Sequence, residues 1–182
     1  FQRDTWDKLS SGLSRLQPLD GVILDLRSNP GGLLVSGVRV AALFLHDGVV
    51  TTTVGQGDEV RAAFGVKDNH AGHEWLRDPQ LPLAVLIDKG TASAAEIVAG
   101  ALQDLKRAVV VGEKSFGKGS IQSIVKLGDG SALKLTTGRY RLPNGRIIDG
   151  TGLVPDLHAQ GEGAVQLALE ILRSWGHLRS TR

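Results

Sequence analysis

Apolar residues recur along the chain in two periods, and the changes of period mark its elements. Trp6, Leu9, Leu13 and Leu16 stand three or four residues apart, which predicts one face of a helix over residues 5–16. After Pro18, residues 21–27 form a short apolar run that reads as a buried strand, ending in the turn chemistry of Ser28-Asn29-Pro30-Gly31-Gly32. A mostly apolar helix follows over 33–45, then strands at 49–54 and 59–64 joined through Gly55-Gln56-Gly57-Asp58. The polar stretch 67–82, which carries His70 and His73, reads as a surface loop. Residues 83–87 form another buried strand, followed by the turn Asp88-Lys89-Gly90, a helix over 93–104 and a third buried strand at 109–111. Beyond it the texture turns antiparallel, with strands at 121–127, 132–142 and 146–148 joined at Gly128-Asp129-Gly130 and Pro143-Asn144-Gly145. A helix over 164–175 comes last. Helices separating buried strands, then a run of hairpins, predict an α/β layered domain, with antiparallel hairpins in the C-terminal half.

Composition narrows this reading. A chain of 182 residues, 41% hydrophobic and 22% charged, suits one domain with a real core and excludes disorder. Its apolar runs, such as those at 81–87 and 108–111, fall far short of the ~20 residues of a spanning helix. Residues 1–8 have no apolar stretch of signal-peptide type. A net charge of +2, evenly spread, gives no reason to expect a nucleic-acid partner. The absence of Met reads as a piece of a longer protein.

Three strand-to-helix or strand-to-loop junctions carry candidate chemistry. Gly31 and Gly32 let backbone N–H groups point outward at a helix start, which suits an anion or a developing oxyanion, but taken alone the pair reads first as a tight turn needing glycine dihedrals. Ser93 stands at a helix entrance with Glu96 three residues on, the capping-box pattern. The same geometry exposes a hydroxyl as a nucleophile, with the following N–H helping to hold an oxyanion. Gly112-Glu113-Lys114-Ser115-Phe116-Gly117-Lys118-Gly119 nearly spells a phosphate-binding loop, but Gly119 replaces the magnesium-binding hydroxyl and a β-pattern follows where a helix is required. Lys118 reads either as a solvated turn residue or as a desolvated base. The second role needs its pKa to drop from about 10.4 by roughly three units, near 4 kcal/mol, which apolar burial can impose. His46, His70, His73, His158 and His177 read as solvated surface histidines, and His70 and His73 with Glu74 lack the zinc-helix spacing.

Taken in order, Asp25-Leu-Arg-Ser-Asn-Pro-Gly-Gly32, the run from Gly90-Thr-Ala-Ser-Ala-Ala-Glu-Ile to Asp104, and Gly112-Glu-Lys-Ser-Phe-Gly-Lys-Gly-Ser-Ile-Gln122 resemble the carboxyl-terminal processing proteases, the tail-specific serine peptidases. Ser131-Ala-Leu-Lys-Leu-Thr-Thr-Gly-Arg-Tyr140 and Gly150-Thr-Gly-Leu-Val-Pro-Asp156 are similar to that family's downstream segments. The likeness covers nearly the whole chain.

The resemblance implies a Ser-Lys dyad, with Ser93 as nucleophile, Lys118 as general base and Gln122 orienting the lysine. Gln122 lies four residues after Lys118 and returns to it only if the backbone bulges or bends between them. The implied oxyanion hole falls on the N–H groups of Ala94 and of one glycine of the Gly31-Gly32 pair, with Gly32 favoured. The implied fold is a crotonase-like or ClpP-like α/β spiral, and the implied reaction is acyl transfer on a peptide bond near a substrate's C-terminus, without cofactor, ATP or metal. Implied partners are protein or peptide substrates engaged through their C-terminal tails, with a homo-oligomer or activating adaptor compatible with the longer protein. The implied location is the periplasm or cell envelope.

Relative to the family, residues 1–182 read as the catalytic part alone, lacking an N-terminal segment and the substrate-docking PDZ domain; weak, poorly selective cleavage is expected of this piece. A catalytically silent peptide-binding or scaffold domain of the same fold is the alternative. An acyl-CoA enzyme of the crotonase type would share the oxyanion-hole logic but would not need the Ser-Lys pair.

Overall fold

In order, the chain forms α1 (Thr5–Arg15), β1 (Val22–Asp25), α2 (Leu34–Ala42), β2 (Val49–Val54), β3 (Val60–Gly65), a 3-10 helix (Glu74–Arg77) and β4 (Leu83–Ile87). It continues through α3 (Ala94–Asp104), β5 (Val109–Gly112), β6 (Ser120–Lys126), β7 (Ala132–Arg141), β8 (Leu157–His158) and α4 (Glu162–His177). The structure is a computed structural model and describes residues 1–55, 57–66 and 73–177.

A parallel sheet of order β1-β4-β5-β8 forms the centre. Every residue of β4 is buried because helices cover both faces of the sheet. Side chains alternate across a strand, so Leu83, Val85 and Ile87 join the larger core with Val40, Phe44, Ile97 and Leu102, while Ala84 and Leu86 face Ala164 and Ala168 of α4. Burying each large aliphatic side chain contributes roughly 1.5–3 kcal/mol.

Helix α3 is buried from Ala94 to Gln103, as a helix apolar on every side but for Glu96 and Gln103 must be. Its small residues permit close approach: a Cβ added at Gly37 of α2 would lie 3.2 Å from the Ala94 Cβ, and one at Gly100 would meet Leu142 Cδ1 at 2.4 Å.

The second sheet, β3-β2-β7-β6, is antiparallel. It is not confined to the C-terminal half, since β2 and β3 supply one side of it; the sequence pattern marks those strands but not their pairing partner. The strand expected at 146–148 reduces to one bridge between Arg141 and Ile147. Strand β8 escapes sequence reading because Leu157 and His158 are both exposed and form no apolar run. Within the expected 67–82 loop, the 3-10 helix sends Leu76 fully into the core. Residues 67–72, and with them His70, lie outside the described residues.

Candidate active site

Loops leaving the C-terminal ends of β1, β4 and β5 are bonded to one another. The Ala92 N–H donates to Asn29 O at 2.9 Å and the Phe116 N–H to Thr91 O at 3.0 Å. Thr91 Oγ1 donates to Leu26 O at 2.7 Å. The Asp88 carboxylate accepts the N–H groups of Ser28 at 2.7 Å and Gly90 at 2.9 Å. Burial alone would raise the Asp88 pKa, but these bonds to its charged form outweigh burial and hold it below the usual carboxylate value. At the outer side, Arg27 forks onto Asp25 and donates to Gly161 O at 2.8 Å, fixing the end of β1 to the start of α4.

Ser93 sits at the N-cap of α3 with φ 57° and ψ −124°, a conformation that costs a non-glycine residue about 1–3 kcal/mol. Such a strand-to-helix elbow lifts a side chain out of the turn. The bond that holds it is unusual for a helix cap. Glu96 is fully buried, and its Oε2 accepts both the Ser93 N–H and the Lys118 N–H, each at 2.8 Å. Its Oε1 accepts the Ser115 hydroxyl at 2.5 Å and the Gly117 N–H at 2.7 Å. The capping box read from the sequence is therefore also the clamp between the serine turn and the lysine loop. Spacing within a helix gives no sign of that longer reach.

Lys118 is fixed through its main chain, and its side chain has no hydrogen bond or ion pair among the described residues. Gly119 N–H donates to Asp149 Oδ1 at 3.0 Å, and Gly117 O accepts the Gly150 N–H at 2.9 Å, so the loop is held from the downstream side as well. Strand β6 follows at Ser120, which removes the nucleotide-loop reading. The side chain of Lys118 is exposed, in contrast to the apolar burial expected of a lysine base. Among the described residues, no hydrogen bond joins the Ser93 hydroxyl to the Lys118 ammonium. A register shift falls beside Gln122, but its extra residue is Thr137 on β7, whereas residues 120–122 of β6 pair without interruption, so the bend between Lys118 and Gln122 that the sequence reading asks for is not what this shift supplies. Gln122 Nε2 donates to Thr136 Oγ1 at 2.8 Å and Ser120 Oγ at 3.3 Å.

The glycine pair packs against the serine turn. At Gly31, φ 92°, an added Cβ would lie 2.6 Å from Ala92 O and 2.7 Å from Ala94 N. At Gly32, φ 138°, it would overlap the Phe1 main chain. The Phe1 nitrogen donates to Gly31 O, and Phe1 O accepts the Leu33 N–H at 2.9 Å, so residues before α1 brace this loop. Gly31 N–H is taken by Asn29 Oδ1 at 2.9 Å, whereas the N–H groups of Gly32 and Ala94 have no acceptor among the described residues.

His46 and His158 are exposed as expected, but His73 is not a solvated histidine. Its ring packs edge-on to Trp6 with centroids 5.9 Å apart, Nε2 lies 3.2 Å from Ser14 Oγ, and Nδ1 is buried with no hydrogen-bond partner among the described residues. Among the described residues no cluster of His, Asp and Glu is able to hold a metal ion. No described helix is long and apolar enough to cross a membrane.

Comparison with known proteins converges on one family. The sequence profile of peptidase family S41 matches residues 1–159. The chain is 43% identical over 165 residues to a carboxy-terminal-processing protease of Bartonella bacilliformis, covering 86% of this chain and 36% of that protein. It is 41% identical over 146 residues to a chloroplastic C-terminal processing peptidase of Tetradesmus obliquus, covering 80% of this chain and 30% of that one. The solved photosystem II D1 C-terminal processing protease superposes with a TM-score of 0.80 at 34% identity, covering 92% of this chain and 44% of its own. The chain thus spans about a third of the length of these curated relatives.

Proposed function

The chain belongs to peptidase family S41, and from that premise we propose that it is the catalytic part of a serine endopeptidase that cleaves peptide bonds near the C-terminus of protein substrates. The observation that carries the reading is the shared anchor on Glu96, which ties the elbow bearing Ser93 to the loop bearing Lys118. In this mechanism the Ser93 hydroxyl attacks the scissile carbonyl while Lys118 Nζ, as the free amine, takes its proton. The C–N bond breaks as Lys118 returns that proton to the leaving amine, and water then hydrolyses the acyl-enzyme.

Gly32 and Ala94 donate to the oxyanion. Support for Gly32 over Gly31 is that the Gly31 N–H is already taken by Asn29. Gln122 orients Lys118 through Oε1, its Nε2 being held by Thr136 and Ser120. Because Lys118 is exposed, the substrate itself supplies the dry surroundings its amine needs. The relatives include a bacterial and a chloroplastic enzyme, and a periplasmic or envelope location is part of the same proposal for this chain.

A serine-directed acylating probe tests the mechanism. Ser93 is expected to be labelled, and Lys118→Ala to slow labelling at least about a hundredfold. Equal labelling after Lys118→Ala removes the dyad. Peptide binding without any acylation of Ser93 favours instead a catalytically silent peptide-binding domain.

A further inference from the structure

A cleft of about 660 Å³ opens immediately beyond the lysine loop, lined by Gly55, Ser120, Thr136, Gly138, Arg139 and Asp149. We propose that this cleft receives the leaving part of the peptide and that Arg139 in its wall binds a carboxylate on it; the inference rests on the peptidase reading of Ser93 and Lys118.

Direction comes from the chemistry. The base that accepts the serine proton returns it to the leaving amine, so the nitrogen of the departing residue stands at Lys118. The cleft wall begins at Ser120, and Asp149 joins the two regions: Oδ1 accepts the Gly119 N–H at 3.0 Å and Oδ2 faces Arg139 Nε at 3.6 Å. Arg139 is paired across the sheet with Ser120, and the next residue, Tyr140, donates its N–H to Gly119 O at 2.8 Å. Residues that follow the scissile bond therefore pass from Lys118 into this space.

Ligand class comes from the state of the guanidinium. The neighbouring arginines are engaged: Arg61 forks onto Glu59 and donates to Thr137 O, and Arg141 pairs with Asp58 through a terminal nitrogen. Among the described residues Arg139 has one ion-pair partner, Asp149, through Nε at 3.6 Å, while its side chain is 52% exposed. Its two terminal nitrogens have no partner among the described residues. A planar fork with free donors fits a carboxylate two-pronged. The shared chemistry is a carboxylate, supplied either by the C-terminus of the tail or by an Asp or Glu side chain within it.

Binding separates this inference from catalysis. A fluorescein-labelled hexapeptide is titrated into the Ser93→Ala chain as the free acid, as the C-terminal amide, and as the amide with one internal Asp. The free acid, the Asp amide or both are expected to bind about three- to tenfold tighter than the plain amide, the range of a half-exposed charge pair, and which one does so identifies the source. Adding Arg139→Gln abolishes the preference, and Arg139→Lys keeps part of it. Equal affinity for all peptides, no binding at millimolar peptide, or a preference undiminished by Arg139→Gln overturns the proposal, the last placing the carboxylate at a different cation. The peptide series on the Ser93→Ala chain needs no folded Arg139 variant. Acylation of Ser93 in the parent chain is read separately: labelling without a carboxylate preference removes the cleft proposal alone, and an Arg139-dependent preference without labelling removes the peptidase reading and the leaving-part assignment that rests on it, keeping only a carboxylate site at Arg139.

Discussion

The main-chain N–H groups of Ser93 and Lys118 end on the same atom, Oε2 of Glu96, at 2.8 Å each. That places the backbones of the α3 cap and of the β5–β6 loop within two hydrogen-bond lengths of each other, independent of what their side chains do. A carboxylate with no solvent contact tolerates this role only because every donor around it is satisfied by it, from Ser93, Ser115, Gly117 and Lys118.

Glu96→Gln keeps the shape and replaces one acceptor oxygen with a donor that faces main-chain N–H groups. Stability is expected to fall by about 2–4 kcal/mol, since bonds to a buried charge are lost. At a temperature where the variant remains folded, kcat is expected to fall about a hundredfold with KM little changed, because displacement of Lys118 relative to Ser93 acts on the reaction and not on binding. Urea unfolding combined with steady-state peptide cleavage checks both; wild-type kcat in the variant would show that the clamp is structural only.

Gly31→Ala separates crowding from backbone strain. Its Cβ would press on Ala92 O at 2.6 Å and Ala94 N at 2.7 Å, whereas Gly130, also at positive φ (86°), has open space around the added atom. Gly130→Ala is expected to cost about 1 kcal/mol and leave cleavage intact. Gly31→Ala is expected to cost more and to lower kcat at least about a hundredfold, the scale of a lost oxyanion donor. Parallel thermal melts and cleavage rates give the comparison.

The sequence pattern made β2, β4 and the helical core of α3 legible because burial leaves an apolar trace at a fixed period. Ser93, Lys118 and Gln122 were legible as candidates in ordered motifs, the first two in loops that follow strands and Gln122 within β6. What stayed hidden depends on contacts across the chain. Nothing local to Glu96 shows that it reaches Lys118, 22 residues on, and nothing local to Asp149 shows that it bridges Gly119 and Arg139. The exposure of Lys118 was equally hidden, since a lysine between glycines reads the same whether a neighbouring segment covers it or not. Strand β8 left no trace because hydrogen bonding to Val111 and Gly112, not burial, defines it.

Ser115→Ala tests the downstream half of the clamp. The Ser115 hydroxyl donates to Glu96 Oε1 and accepts the Leu153 N–H at 2.7 Å, so its removal strands a buried donor and loosens the segment around Gly152. A loss of about 1–3 kcal/mol is expected in urea unfolding. Gly152→Ala attacks the same contact from the other side, its Cβ meeting Ser115 O at 2.4 Å with φ 70°. The double variant is expected to lose less than the sum of the single losses, because both act on one contact.

Asp88 gives the fold a defined acid dependence. Its folded pKa lies below the ordinary value near 3.9, so its carboxylate contributes stability that is fully present above that value and is lost as pH falls through the folded pKa. Asp88→Asn removes this contribution at neutral pH by weakening the bonds from Ser28 and Gly90. Parent and variant are therefore expected to differ in urea unfolding at about pH 7 and to converge toward about pH 3. Asp104, whose pKa burial pushes upward despite Arg146, contributes in the opposite sense but equally in both proteins, whereas Asp25, held low by Arg27 against the repulsion of the Asp88 charge, shifts further down in the variant and adds a smaller part to the difference. A gap that stays constant down to that pH would mean the turn is held by Thr91 Oγ1 on Leu26 O and not by the carboxylate.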